Sequence, residues 1–158
     1  MEKYVVQTVM GAAGSLGFAV VFGIRDRKLF SVAAGGAIGW AVYLIAIYAA
    51  GLELFYAVFA ATLVTSLLAE FLARIVRTPV LLLLVPMLIP LIPGGDLYYM
   101  MDYFVRRNID ELGKAAGKVL TEAGAIAIGI IVGAYIALSL SAFYGKMTQR
   151  RADNFTGM

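Results

Sequence analysis

The segment from Thr78 to Tyr99 constrains this chain most, because it is apolar enough to enter a bilayer yet cannot form one unbroken helix. It carries no charge from Thr78 to Gly95 and holds all four prolines of the chain: Pro79, Pro86, Pro90 and Pro93. Each interior proline removes a backbone donor and clashes with the carbonyl group four residues before it. Gly94 and Gly95 then add a conformationally permissive backbone. The pattern predicts a broken membrane helix.

A broken membrane helix has two interpretations, and both stay open at this point. Polar backbone at membrane depth is tolerated only where protein covers it or where it lines a wet cavity. The first interpretation is a kinked packing helix with a proline-rich exit loop. The second is a substrate site, in which freed amides of Gly94 and Gly95 and the hydroxyl of Tyr98 or Tyr99 hold an anionic substrate.

The composition indicates an all-α integral membrane protein. Of the 158 residues, 62% are hydrophobic and 15% are charged, whereas soluble domains average about half apolar and about a quarter charged residues. Several uncharged runs exceed the roughly 18 residues expected of a membrane span. The net charge of +3 comes from basic residues between apolar runs, which are typical topology signals. We therefore expect a lipid bilayer and no nucleic acid as a partner.

The residue types that are missing limit the possible chemistry. The chain has no cysteine and no histidine, which removes thiol chemistry, disulfides and imidazole metal sites. It has no P-loop or other nucleotide motif. The acidic residues lie scattered at the ends of the apolar runs and form no convergent catalytic set. We expect no cofactor, no metal and no enzymatic activity.

The apolar runs predict one transmembrane domain, 1–158, with about five helices. The spans lie at about 4–24, 29–50, 54–75, 79–104 (broken at 90–95) and 119–143, followed by a cytoplasmic tail at 146–158. With the amino terminus outside, eight of the 13 basic residues fall on the cytoplasmic side, as the positive-inside rule requires. In the alternative with four spans, the proline segment is re-entrant and residues 106–118 return to the cytoplasm.

Small residues recur at helical spacing in several spans. Gly11, Gly14 and Gly17 lie in the first span, Gly35 and Gly39 in the second, and Gly129 and Gly133 in the last. Small residues let membrane helices approach closely, so these positions predict packing faces. Trp40 falls near the middle of the second span, away from an interfacial belt, and we expect it to pack inside the assembly.

Two acidic residues are candidates for proton or ion coupling. Glu70 is one, and its alternative role is an ordinary ion pair with Arg74, four residues later on the same helix face. Asp96 is the other, and its alternative role is to cap a short helix, Leu97–Phe104. The polar section 106–122 either lies at the membrane surface or extends the last helix, and we interpret it as a solvated face.

An odd number of spans has a consequence for assembly. A similar half that pairs with this one sits upside down relative to it, which is the inverted-repeat arrangement of many secondary transporters. Five spans alone therefore indicate half of a transporter.

Three segments resemble the threonine/serine exporter family. Ile89–Tyr98, IPLIPGGDLY, resembles the I-P-x-x-P-G-x-x-x-Y signature of that family. Gly17–Phe22, GFAVVF, resembles the G-F-A-x-x-F segment of its small-subunit branch, and Gly35–Gly39 lies where that branch has a glycine-rich second span. By position, Pro90, Pro93, Gly94 and Tyr98 form the hallmark of the family.

The resemblance implies export of small polar metabolites across the cytoplasmic membrane. Fused family members export threonine and serine, and the split type is associated with dicarboxylates such as succinate. This chain resembles the C-terminal membrane half, which implies a larger membrane subunit as partner and a multi-pass location in the cell membrane. The residues assigned to substrate binding are Pro90, Pro93, Gly94, Gly95 and Tyr98.

Other functions remain as alternatives. A non-catalytic membrane scaffold or accessory subunit, with no substrate site of its own, explains the glycine faces equally well. A channel is a further alternative, although no ring-forming filter motif is present. The chain could also form homo-oligomers.

Overall fold

The computed structural model describes the backbone of residues 2–156 and the side chains of residues 2–141. Within these residues the chain is helical and has no strand. The helices are α1 (Glu2–Val21), α2 (Arg27–Leu44), α3 (Leu54–Ile75), α4 (Val80–Leu88), α5 (Gly94–Val105) and α6 (Ile109–Thr156). A π-helical segment, Ile45–Ala49, continues α2, and a 3-10 turn, Ile89–Leu91, follows α4.

The helices confirm an all-α membrane protein with a broken fourth span. In the described part of the chain, α1, α2 with its π-helical continuation, α3 and α6 are each long and apolar enough to cross a membrane. The pair formed by Val80–Leu91 and Gly94–Val105 is bent by 57°. It makes a fifth span if both pieces cross the membrane together and a re-entrant element if they do not.

The two halves of the broken span pack against different neighbours. α4 contacts α1, α2 and α3 and lies at the centre of the core, where Leu83 and Met87 are fully buried. α5 packs mainly on α6, and none of its residues is buried. The bend therefore lets one apolar segment fill the core while the next segment crosses to α6.

The α3–α6 interface is built from small and hydroxyl side chains. Thr62, Thr65 and Ser66 of α3 are fully buried. A Cβ atom on Gly129 would lie 2.8 Å from Thr62 Cβ, and one on Gly133 would lie 2.6 Å from Ser66 Oγ. Both glycines are thus required for the close approach of the two helices, which confirms the predicted packing face of the last span.

The other predicted glycine faces are confirmed in part. Gly35 packs against Met87 and Gly39 against Thr65, while Gly11 contacts Trp40. A Cβ atom on Gly14 or Gly17 would meet nothing within 4 Å, so no described helix of this chain packs closely on them, and their packing face stays a prediction. The buried stripe of α1 instead runs through Gly11, Ser15 and Ala19, at the four-residue spacing of one helix face.

The polar section 106–122 extends the last helix. Arg107 adopts a left-handed conformation (φ 57°) and ends α5. Asn108 then starts α6, because its side-chain Oδ1 accepts a hydrogen bond from the backbone N–H of Glu111 at 3.4 Å. α6 consequently begins ten residues before the predicted span. The backbone of the predicted cytoplasmic tail is helical to Thr156, while Gly157 and Met158 lie outside the described residues.

Candidate functional site

A cavity of about 170 Å³ lies at the break between α4 and α5. Five residues selected from the sequence line it together: Pro90, Pro93, Gly94, Gly95 and Asp96. The rest of the wall includes Trp40 and Tyr43 from α2, Val58 from α3 and Glu122 from α6. The broken segment is therefore a cavity wall rather than a simple packing kink.

The backbone at the break is only partly free to bind a ligand. Pro93 (φ −74°, ψ 58°) stands just before α5, and the N–H of Gly94 donates to the carbonyl of Ile92 at 2.7 Å. The hypothesis that the Gly94 amide is free is therefore wrong. The first turn of α5 leaves the N–H groups of Gly95 and Asp96 without partners inside the helix.

Neither glycine at the break is required by the backbone. Gly94 and Gly95 have no positive φ, and a Cβ atom on either would meet nothing within 4 Å. The conformational freedom that the sequence analysis attributed to these two glycines is therefore not needed at the break. What they contribute is space, because the backbone of α5 forms cavity wall without side chains.

Asp96 is paired across two helices. Lys118 Nζ of α6 donates a hydrogen bond to Asp96 Oδ1 at 2.8 Å, with 49% of the Lys118 side chain and 27% of the Asp96 side chain exposed. The prediction that Asp96 caps a helix starting at Leu97 is wrong, because α5 already begins at Gly94 and Asp96 makes no capping hydrogen bond. Asp96 still lies in the first turn, where negative charge complements the helix dipole.

Glu122 is the functional candidate that the sequence interpretation missed. The residue is only 6% exposed, lines the cavity, and its Oε2 atom has no hydrogen-bond partner among the described residues. It follows Lys118 by four positions, so the two side chains lie on the same side of α6. The available signal was its position as the last charged residue before the uncharged run 123–145.

The α2 side of the cavity is aromatic. The rings of Trp40 and Tyr43 lie 5.2 Å apart between centroids. The indole Nε1 of Trp40 is buried and has no acceptor among the described residues. Trp40 therefore packs inside the structure, as its mid-span position predicted, and it presents an unused donor close to the cavity.

Two sequence-predicted site residues lie away from the cavity. Glu70 is 12 residues beyond Val58 on α3, which corresponds to roughly 18 Å along the helix. It pairs with Arg74 at 3.9 Å, and Arg74 Nη2 donates to the carbonyl of Ala137 on α6 at 3.3 Å. Tyr98 is 68% exposed and stacks edge-on against Tyr99; it is not among the cavity residues.

The cavity suits a small polar solute. It is smaller than the roughly 300–1,000 Å³ of pockets for drug-sized ligands. Its charged groups are two carboxyls, Asp96 and Glu122, with Lys118 bound to one of them. No group of three acidic, histidine or cysteine residues that could hold a metal ion occurs in the described part of the chain.

Comparison with known protein families gives a match over most of the chain. The family model described as "Threonine/Serine exporter, ThrE" matches residues 7–136, a range that contains the broken span and every cavity residue. No curated protein and no solved structure matches the chain.

Proposed function

The chain belongs to the threonine/serine exporter family, and we propose that it is one subunit of a secondary exporter of small polar metabolites. The family is one of transporters, and the chain is a multi-pass membrane protein. The observation that carries the proposal is the cavity at the broken helix, where Asp96, Glu122 and the first turn of α5 meet. Substrate sites of secondary transporters are typically formed by discontinuous helices.

The charges of the cavity favour an amino acid as the substrate. Asp96 and Glu122 supply two carboxyls, and Lys118 supplies one ammonium that is already engaged. A zwitterion such as threonine or serine brings an ammonium group for Glu122 and a carboxylate for the free N–H groups of α5. A dicarboxylate such as succinate brings two negative charges to a site that already holds two acids, so it fits less well.

The proposed assembly contains a larger membrane subunit of the same family in the cytoplasmic membrane. With the bent pair counted as one span, the chain has five spans, an odd number that suits an inverted partner half. The unused small residues Gly14 and Gly17 on the outer side of α1 have space around them, which suits the close approach of a further helix. A second copy of this chain is the alternative source of that helix.

The second candidate is an accessory scaffold with no substrate site of its own. The observation that favours it is the amount of small-residue packing, at Gly35, Gly39, Gly129 and Gly133. The two candidates differ in what they require of Glu122. A scaffold tolerates loss of the carboxyl, whereas an exporter with its site in this cavity does not.

Efflux of labelled solutes tests the proposal. Cells are loaded with labelled threonine, serine or succinate, and they express this chain alone or with a larger family member. The variants are Glu122→Gln and, as the matched control on the same helix, Glu111→Gln, whose parent residue is solvent-exposed and paired with Lys114 at 2.6 Å. We expect efflux of threonine or serine that needs both proteins and is lost only in Glu122→Gln.

Three results would change the conclusion. Efflux from this chain alone would replace the larger subunit by a second copy. Efflux of succinate in preference to the amino acids would overturn the assignment of substrate. Equal efflux from both variants, each present in the membrane at parent level, would favour the scaffold.

A further inference from the structure

We propose that Glu122 carries the coupling proton of this transporter and that Lys118 exchanges between Asp96 and Glu122 according to whether Glu122 holds that proton. The inference deepens the proposed exporter function and rests on it for its role in transport. It replaces the two coupling residues that the sequence indicated, Glu70 and Asp96, because the structure gives each of them a basic partner.

The position of Glu122 demands a compensating charge or a proton. An ionised carboxylate that is buried without a partner is strongly disfavoured, and Glu122 is buried with its Oε2 atom unpartnered. Two changes would remove this unpaired buried charge. Glu122 can bind a proton, or it can take over the ammonium group of Lys118.

Lys118 is placed to serve either carboxyl. It lies one helical turn before Glu122, so their Cβ atoms are about 5–6 Å apart, and its ammonium is carried on a flexible four-carbon stem. In the structure Lys118 binds Asp96. The groups that face Glu122 are the Asp96 carboxyl, which lies within hydrogen-bonding reach of it, and the Lys118 ammonium. Tyr43 of α2 belongs to the same cluster, and α3 contributes the apolar Val58 to the same wall.

Two arrangements follow from the charges. With a proton on Glu122, Lys118 stays on Asp96 and ties the first turn of α5 to α6. When the proton leaves the Glu122 carboxyl, Lys118 moves to the new carboxylate and Asp96 is released. Lys118 remains an ammonium throughout, and a single proton binds and leaves at one carboxyl.

The exchange changes the cavity because α5 forms part of its wall. Gly94, Gly95 and Asp96 all lie in the first turn of α5 and line the cavity. α5 has no buried residue and packs mainly on α6. Release of Asp96 therefore breaks the ion pair between α5 and α6 and frees α5 to move. Because α5 forms part of the cavity wall, protonation of Glu122 is coupled to substrate access.

The distance between α5 and α6 tests the exchange directly. The chain has no cysteine, so Tyr99→Cys on α5 and Leu120→Cys on α6, both exposed in the parent, accept spin labels at these two sites only. Pulsed electron paramagnetic resonance on the full chain in lipid nanodiscs gives the distance between the two spin labels at acidic and at alkaline pH. We expect a narrow distribution at acidic pH and a longer, broader one at alkaline pH.

We expect opposite distance distributions for two variants, which distinguishes a loss of the Lys118 exchange from a folding defect. Glu122→Gln keeps Lys118 on Asp96, so we expect the narrow distribution at both pH values. Asp96→Asn removes the tie, so we expect the broad distribution at both. Glu111→Gln is the control and should switch as the parent does. Emission from Trp40, the single tryptophan of the chain, should follow the same pattern in unlabelled protein.

The outcomes separate this inference from the proposed function. A parent distance that does not depend on pH, or a pH-dependent shift that persists in Glu122→Gln, overturns the exchange of Lys118. If efflux occurs while the distances do not switch, the exporter function holds and this inference fails. If the distances switch while no substrate is exported, the exchange holds and the exporter function fails.

Discussion

Lys118 Nζ lies 2.8 Å from Asp96 Oδ1, and this contact joins two helices at the edge of the cavity. The other three ion pairs among the described side chains each lie within one helix, at three- or four-residue spacing. The Asp96–Lys118 pair spans 22 residues of sequence. It is therefore the one ion pair among the described side chains that links α5 to α6.

A double-mutant cycle should detect this pair as a coupling between α5 and α6. The variants are Asp96→Asn, Lys118→Met and the double mutant, measured by denaturant unfolding in mixed micelles. Because both side chains are partly exposed, we expect a coupling of only about 0.5–1 kcal/mol. The control cycle is Asp102–Arg106, whose pair joins the last turn of α5 to its C-cap residue and should not change the contact with α6. A zero coupling for Asp96–Lys118, with both single variants folded, would contradict this assignment.

Gly129 should tolerate no side chain, unlike Gly124 on the same helix. A Cβ atom on Gly129 would lie 2.8 Å from Thr62 Cβ and 3.2 Å from the carbonyl oxygen of Phe59, whereas one on Gly124 would meet nothing within 4 Å. Overpacking of this kind costs about 1–3 kcal/mol. We expect Gly129→Val to lower the unfolding free energy by that amount and Gly124→Val to leave it nearly unchanged. Similar stabilities for the two variants would mean that α3 and α6 do not pack as described.

Gly94 and Gly95 should affect transport more than folding. Neither glycine has a positive φ, and both have room for a methyl group. Alanine is the better helix former by about 1 kcal/mol, so Gly94→Ala and Gly95→Ala should unfold at the same denaturant concentration as the parent or higher. We expect reduced efflux, because each added methyl group reduces the space in the cavity that Gly94 and Gly95 line. A loss of stability in either variant would show that the break needs glycine for its backbone.

The hydroxyl of Tyr43 should matter to transport, and that of Tyr98 should not. Tyr43 lines the cavity, while Tyr98 is exposed on α5. A hydrogen bond contributes about 0.5–1.5 kcal/mol, so Tyr43→Phe should lower efflux by about twofold to tenfold if the hydroxyl binds substrate. Tyr98→Phe removes the same atom outside the cavity and serves as the matched control. Loss of efflux in Tyr98→Phe alone would restore the family hallmark residue as a substrate ligand.

The helices and the break could be predicted from the sequence because their causes are local. Long uncharged runs define the spans, and α3 begins and ends at the predicted Leu54 and Ile75. The proline and glycine run forces the fourth span to break within 90–95. The Glu70–Arg74 pair follows from spacing on one helix. Each of these features depends on neighbours at most a few residues apart.

The charged part of the site could not be predicted, because it depends on how distant helices meet. Asp96 and Glu122 are 26 residues apart, and they line one cavity only because α5 packs against α6. From the sequence alone, Glu122 belongs to the polar section 106–122, which is predicted to be a solvated face. The spacing of Gly14 and Gly17 likewise identifies a face of small residues but not the neighbour that covers it.

The length of α6 has a mechanical consequence. Ile109–Thr156 comprises 48 residues, or roughly 72 Å at the rise of an α-helix, against about 30 Å for the hydrocarbon core of a bilayer. The helix must therefore emerge from the lipid, and the same continuous rod carries Lys118 and Glu122. A displacement of its far end in the aqueous phase is therefore transmitted to the cavity at the broken span along one uninterrupted helix.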